Sequence, residues 1–169
     1  MEDELPSPGR IPTDSDLVAL CRALNEAGAR YIVVGGFAIN HHGYIRATED
    51  IDILIDLDPE NQRRVKSGLA TLPDQAILEL GDDDFRDYTV VRVSDEILVD
   101  VMTAACGIDF EEASRSIEVA SMQGVSIAFP TPELLLRMKQ THRESDVADR
   151  IFLHRKIAEQ KSRDPGHED

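Results

Sequence analysis

Residues 31–56 constrain this chain most. A β-branched and aromatic run, Tyr31-Ile32-Val33-Val34, stops at Gly35-Gly36. After residues 37–49 a second hydrophobic run opens with Asp50-Ile51-Asp52. Both runs read as strands, and the glycine pair reads as the turn that ends the first, with a short helix starting over 37–40. Strand side chains alternate faces, so Asp50 and Asp52 project together while Ile51, Ile53 and Ile55 point the other way. Carboxylates two apart on a strand suit a hard cation such as Mg²⁺ (or Mn²⁺). Mg²⁺ prefers oxygen ligands and usually keeps substrate phosphates in its shell. Gly35 and Gly36 lack a Cβ, so a triphosphate could approach the turn and accept bonds from its backbone N–H groups.

Alternation of Asp50, Asp52, Asp56 and Asp58 with Ile51, Ile53, Ile55 and Leu57 also describes a half-exposed strand. Two further features favour a site. Arg46-Ala47-Thr48 stands just before the pair, and Arg46 offers a guanidinium fork that suits phosphate oxygens. A separate strand over 96–102 carries Asp100 on the face opposite Val99 and Val101. An aspartate in so apolar a strand is costly without a partner or a cation. Three carboxylates on two neighbouring strands are what two-metal phosphoryl transfer requires.

Gly35-Gly36, Asp50-Ile51-Asp52-Ile53 and the Asp100 strand together resemble the nucleotidyltransferase domain of the DNA polymerase beta superfamily. Within it the chain is similar to small prokaryotic members, including the AbiEii/MenT-type toxins. The resemblance covers roughly residues 31–153. It implies a phosphate-binding turn at Gly35 and Gly36, metal ligands at Asp50 and Asp52, and Asp100 as third carboxylate. Many small members add a late helix with a Lys/Arg-x-x-Asp-x-x-Asp pattern, which Lys139, Arg143, Asp146 and Asp149 fit. One departure is Phe37, where many active members place a hydroxyl residue near the phosphates. The implied activity moves a nucleoside monophosphate from a nucleoside triphosphate to an acceptor hydroxyl on a small molecule, a protein or a tRNA end. The alternative is a non-catalytic module of the same fold that binds nucleotide or a protein partner, for example in a toxin–antitoxin pair.

Read from their own spacing, the late residues allow two roles. Lys139 at a helix carboxyl end complements the macrodipole or touches phosphate. Asp146 and Asp149 are three apart, so they share one helix face. They either orient Lys139 or Arg143 by ion pairing or take the proton of the acceptor.

The net charge of −15 over 169 residues argues against an extended nucleic-acid surface, which needs a basic footprint. A small nucleotide escapes that objection, because its cation and a few local charges dominate the site. No apolar run is long enough for a membrane helix and no export leader is apparent, so a cytoplasmic protein without membrane contact is expected. Cys21 and Cys106 are isolated and read as free thiols, Cys21 on a core-facing helix stripe. No phosphate-loop, dinucleotide or EF-hand motif is present. His41-His42 lack a partner at metal spacing, which leaves them surface or packing roles.

The expected fold class is α/β (α+β), a mixed β-sheet flanked by helices. A flexible segment over 1–12 precedes one domain over 13–158, and a flexible tail covers 159–169. Helices are predicted over 16–27, capped by Thr13 or Asp14, and over 59–72 and 132–140, with Thr131 as cap and Pro132 at the first helical position. Strands are predicted over 76–80, 88–93 and 97–102, with a hairpin over 117–129 turning at Gly124.

Overall fold

The protein is described by a computed structural model over residues 9–163. Helix α1 (Asp14–Glu26) begins at Thr13, whose hydroxyl accepts from the Asp16 N–H while the Asp16 carboxylate accepts from the Thr13 N–H. This reciprocal box satisfies two donors that a helix start otherwise leaves free. Its buried stripe is Leu17, Val18, Leu20, Cys21 and Leu24. Strand β1 (Tyr31–Val34) runs directly into α2 (Gly35–His41), and β2 (Asp50–Ile55) follows. Helix α3 (Pro59–Leu69) is capped by Asp58 and has proline in its first turn.

The strand predicted over 76–80 is instead a 3₁₀ turn (Ala76–Glu79). Asp95 is the reason. It is buried, and its carboxylate accepts from the backbone N–H groups of Asp74, Ala76 and Glu96, tying the segment into a turn. A one-turn helix α4 (Asp84–Asp87) follows. Strands β3 (Val90–Ser94) and β4 (Leu98–Met102) complete the main sheet. A small ribbon, β5 (Ala104–Ala105) and β6 (Ile108–Asp109), leads into α5 (Phe110–Ala113). The hairpin of β7 (Ile117–Met122) and β8 (Val125–Pro130) turns through Gln123 and Gly124, both at positive φ as a tight two-residue hairpin requires. Thr131 caps α6 (Pro132–Met138), and α7 (Glu144–Arg163) closes the described chain.

The fold is α+β, with a mixed four-stranded sheet ordered β1-β2-β4-β3. Strands β1 and β2 are antiparallel, β2 and β4 parallel, and β4 and β3 antiparallel. One face carries Val33, Ile51, Ile53, Ile55, Val99 and Val101 into the main core, against α1, α3 and the inward side of β8. Burying each such side chain contributes roughly 1.5–3 kcal/mol. The opposite face is covered only in part. A smaller core of Ile32, Val34, Leu54, Ile108, Leu134 and Met138 covers some of it. The three aspartates share that face, where α6 and the ribbon leave a cleft.

At the amino end, the Arg10 N–H donates to the Glu96 carbonyl within the segment expected to be flexible. At the other end, α7 continues to Arg163, past the tail boundary expected at 159. Residues 1–8 and 164–169 of those two expected segments lie outside the described residues. Among the described residues, no helix is long and apolar enough to cross a membrane.

Candidate active site

Register brings the carboxylates together. Asp52 lies directly opposite Asp100 across the parallel β2–β4 pair, and Asp50 is two residues back on the same face. Oxygens of all three lie within 4.8 Å of one another. Asp52 and Asp100 are buried and Asp50 is half-buried. Burial, and then the charges of Asp50 and Asp100, push the Asp52 carboxyl up to about 8. Asp50 is raised as well, by burial and by Asp100. Like charges in a poorly solvated corner disfavour ionisation, so this donor set is short of positive charge. Three carboxylates with only oxygen donors fit a hard divalent ion.

The glycine pair serves these side chains first. Gly35 has φ +67°, and a Cβ there would lie 2.0 Å from Asp52 Oδ2. At Gly36 a Cβ would lie 2.5 Å from Thr48 Oγ1. Their missing side chains therefore make room for the Asp52 carboxylate and the Thr48 hydroxyl, not only for an incoming phosphate. Thr48 is locked there by donating to the Asp50 carbonyl at 3.0 Å. It places a hydroxyl beside the turn, although the chain has Phe37 after the glycines. Phe37 itself is buried in the main core.

The far wall is built by α6 and α7. Lys139 closes α6 and is only 5% exposed, yet it lines the cleft. Its Nζ lies 2.9 Å from Asp149 Oδ2 and 3.6 Å from Asp146 Oδ1. Arg46 grips the same Asp149 in a fork, Nε to Oδ1 at 3.0 Å and Nη2 to Oδ2 at 2.8 Å. Arg143 reaches Asp146 Oδ2 at 3.3 Å, and the Thr141 hydroxyl donates to the same carboxylate. Burial would raise the Asp149 carboxyl, but hydrogen bonds from Arg46 and Lys139 outweigh it and hold the group below its ordinary value. Asp149 is fully buried behind the wall. It does not line the cleft, and its carboxylate is engaged by Arg46 and Lys139.

Gly35, Gly36, Arg46, Asp50, Asp52, Asp100, Lys139, Arg143 and Asp146 all line one cleft of about 640 Å³. Sequence reasoning missed Arg92, which lines the same cleft. It pairs with Asp100 in the β3–β4 register, donating Nε to Oδ1 at 2.8 Å and Nη2 to Oδ2 at 2.9 Å. The same Nη2 also reaches Asp50 Oδ2 at 3.0 Å. A signal existed in the alternation of Val91 and Val93, which are buried and turn Arg92 to the aspartate face. The chain is strongly acidic, yet Arg46, Arg92, Lys139 and Arg143 gather around one opening.

Two further expectations concern histidine and cysteine. His42 is buried with Nε2 2.7 Å from the Pro130 carbonyl, and His41 stacks on Phe129 with ring centroids 4.2 Å apart. Both therefore pack, but they also have the partner that sequence spacing did not show. Glu118, 77 residues beyond His41, lies beside them. Cys21 and Cys106 are free, and burial pushes the Cys21 thiol up to about 11, as suits a core residue.

No family model matches the chain, and no curated protein matches it either. Among solved structures it is similar to an antigenic nucleotidyltransferase-like protein from Paracoccidioides brasiliensis, at a TM-score of 0.49 and 17% identity, covering 88% of this chain and 87% of that one. What the site can do follows from its own geometry.

Proposed function

We propose that the protein is a metal-dependent nucleotidyltransferase of the small prokaryotic polymerase-beta type, related to the AbiEii/MenT toxins and placed in the cytoplasm. The observation that carries this reading is the convergence of Asp50, Asp52 and Asp100 within 4.8 Å in a cleft edged by Gly35-Gly36 and by Arg46 and Lys139. The three carboxylates would hold Mg²⁺ or Mn²⁺, which supplies charge stabilisation and alignment for phosphoryl transfer. Gly35 and Gly36 present backbone against the triphosphate. Lys139 and Arg46, held in place by Asp149, offer cations to its oxygens. An acceptor hydroxyl attacks the α-phosphorus, the α–β phosphoanhydride bond breaks, and pyrophosphate leaves. The hydroxyl proton passes to Asp100 or to the late-helix carboxylate Asp146, both of which line the cleft. Positioning and electrostatics supply most of the rate in such transfers.

Arg92 favours the second reading, a nucleotide-binding or protein-partner module without transfer. It already bridges Asp50 and Asp100, and so supplies positive charge where a catalytic cation would sit. Incubating the protein and Mg²⁺ or Mn²⁺ with each of the four α-labelled nucleoside triphosphates and cell extract separates the two. Label appearing on an acceptor, and disappearing with Asp52→Asn, supports the enzyme. Binding of triphosphate without label transfer supports the module.

A further inference from the structure

We propose a second metal site, of the zinc type, formed by His41, His42 and Glu118 at the end of α2 remote from the glycine turn. The ligand atoms lie within 4.8 Å of one another. His41 Nε2 is 3.4 Å from Glu118 Oε2, and His42 Nδ1 is 4.0 Å from the same oxygen. Two ligands of one tetrahedral Zn²⁺, with bonds near 2.0–2.2 Å, stand roughly 3.4 Å apart. The first pair matches that spacing and the second needs a small closing movement.

The histidine hydrogen bonds settle which nitrogens are available. His42 Nε2 lies 2.7 Å from the Pro130 carbonyl. A carbonyl only accepts, so this nitrogen carries the proton and the neutral ring keeps its Nδ1 lone pair. That nitrogen lies 4.0 Å from Glu118 Oε2, a distance too long for a hydrogen bond. A histidine that gives its far N–H to a backbone carbonyl and turns its free nitrogen to a carboxylate is oriented as metal-ligating histidines are. His41 is held by stacking on Phe129, its ring within 5° of parallel. Phe129 is the register partner of Glu118 across the hairpin, so one β-ribbon sets both the carboxylate and the platform under His41.

The ligand set decides the metal class. Two imidazole nitrogens and one carboxylate suit Zn²⁺ and its transition-metal neighbours, whereas Mg²⁺ prefers oxygen alone. The His41 and Glu118 side chains are 24% and 44% exposed, which leaves the site open to an entering ion and to a fourth ligand from water. Lys156 stands at this corner, and its Nζ donates to the His42 carbonyl at 2.6 Å. An ion here ties the carboxyl end of α2 to β7, and the other end of α2 is Gly35-Gly36.

Zn²⁺ alone, with Co²⁺ as a spectroscopic probe, tests the site on the whole chain. His41→Phe keeps the ring stacked on Phe129 and removes the nitrogen, and Glu118→Gln keeps the shape and removes the charge. Asp52→Asn serves as the control that weakens the carboxylate cluster. Wild type and Asp52→Asn should each bind one equivalent of Zn²⁺ here, with a rise in Tm that EDTA reverses and a tetrahedral Co²⁺ absorption. His41→Phe and Glu118→Gln should keep the metal-free Tm and lose Zn²⁺ affinity by at least about 100-fold, no less than the loss of an outer partner costs. Equal Zn²⁺ binding in all four proteins, or binding lost only in Asp52→Asn, would overturn the assignment.

Discussion

Two acidic clusters meet in one cleft and behave in opposite ways. Asp149 is fully buried and its carboxyl is held low, while Asp52 is nearly as buried and is pushed up to about 8. Burial raises both carboxyls, so the charges beside each one decide the direction. Asp149 takes the Arg46 fork and the shorter contact of Lys139, which reaches Asp146 only at 3.6 Å. The sheet cluster sets three carboxylates against Arg92, whose side chain is half exposed and therefore well screened. One cluster is a strut that braces two cations, and the other carries more negative charge than its arginine neutralises.

The strut should show the largest effect. Asp149→Ala leaves Arg46 and Lys139 without their shared anion, and breaking a buried pair from one side costs about 3–5 kcal/mol. Urea unfolding should record that loss, whereas Asp52→Asn measured without metal should hold or gain stability. A loss under about 1 kcal/mol for Asp149→Ala would erase the contrast.

Acid and base should act on the clusters in different windows. With its folded pKa raised from 3.8 to about 8, Asp52 adds stability below pH 4 that is lost as pH climbs to about 8. Asp149 has a depressed folded pKa, so its contribution is present above the unfolded value and disappears only as pH falls through the lower folded one. Metal-free thermal melts from pH 4 to 9 should decline for the wild type by a few kcal/mol, roughly, and flatten for Asp52→Asn. Parallel curves for the two proteins would place the titration elsewhere.

Ligand addition probes the sheet cluster directly. Mg²⁺ with triphosphate at 100 times its Kd should stabilise the wild type by about 2.7 kcal/mol. Asp52→Asn should gain nothing. Equal shifts in both proteins would remove Asp52 from the binding site. Smallest of all is Arg92→Gln. Its exposed ion pairs contribute at most about 1 kcal/mol to the metal-free fold. Mn²⁺ should bind this variant more tightly, because a competing cation has gone, and weaker Mn²⁺ binding would make Arg92 a helper instead of a rival.

Much of this contrast was legible before any tertiary information. Alternation in 50–55 and 98–102 put Asp50, Asp52 and Asp100 on predictable faces, and Thr13, Thr131 and Pro132 announced their helices. The segment at 76–80 misled, because its apolar run is drawn into a turn by Asp95, a residue distant enough to escape any local window. Arg92 stayed hidden for a related reason. In a strand an alternating arginine reads as solvated surface until the register sets it opposite Asp100.

By itself the sequence determined what is local and periodic: where strands and helices begin, which side of each is apolar, and that two glycines precede an Asp-x-Asp strand. Side-chain spacing along a chain is enough for that, since it depends only on backbone geometry. Tertiary structure alone decided which charges meet. It set Arg92 across from Asp100, seated the Asp52 carboxylate where Gly35 has no Cβ, closed Arg46 and Lys139 on Asp149, and brought Glu118 to His41 and His42. Coulomb energies fall with distance and rise as water is excluded, and neither quantity exists for these groups until the chain has packed.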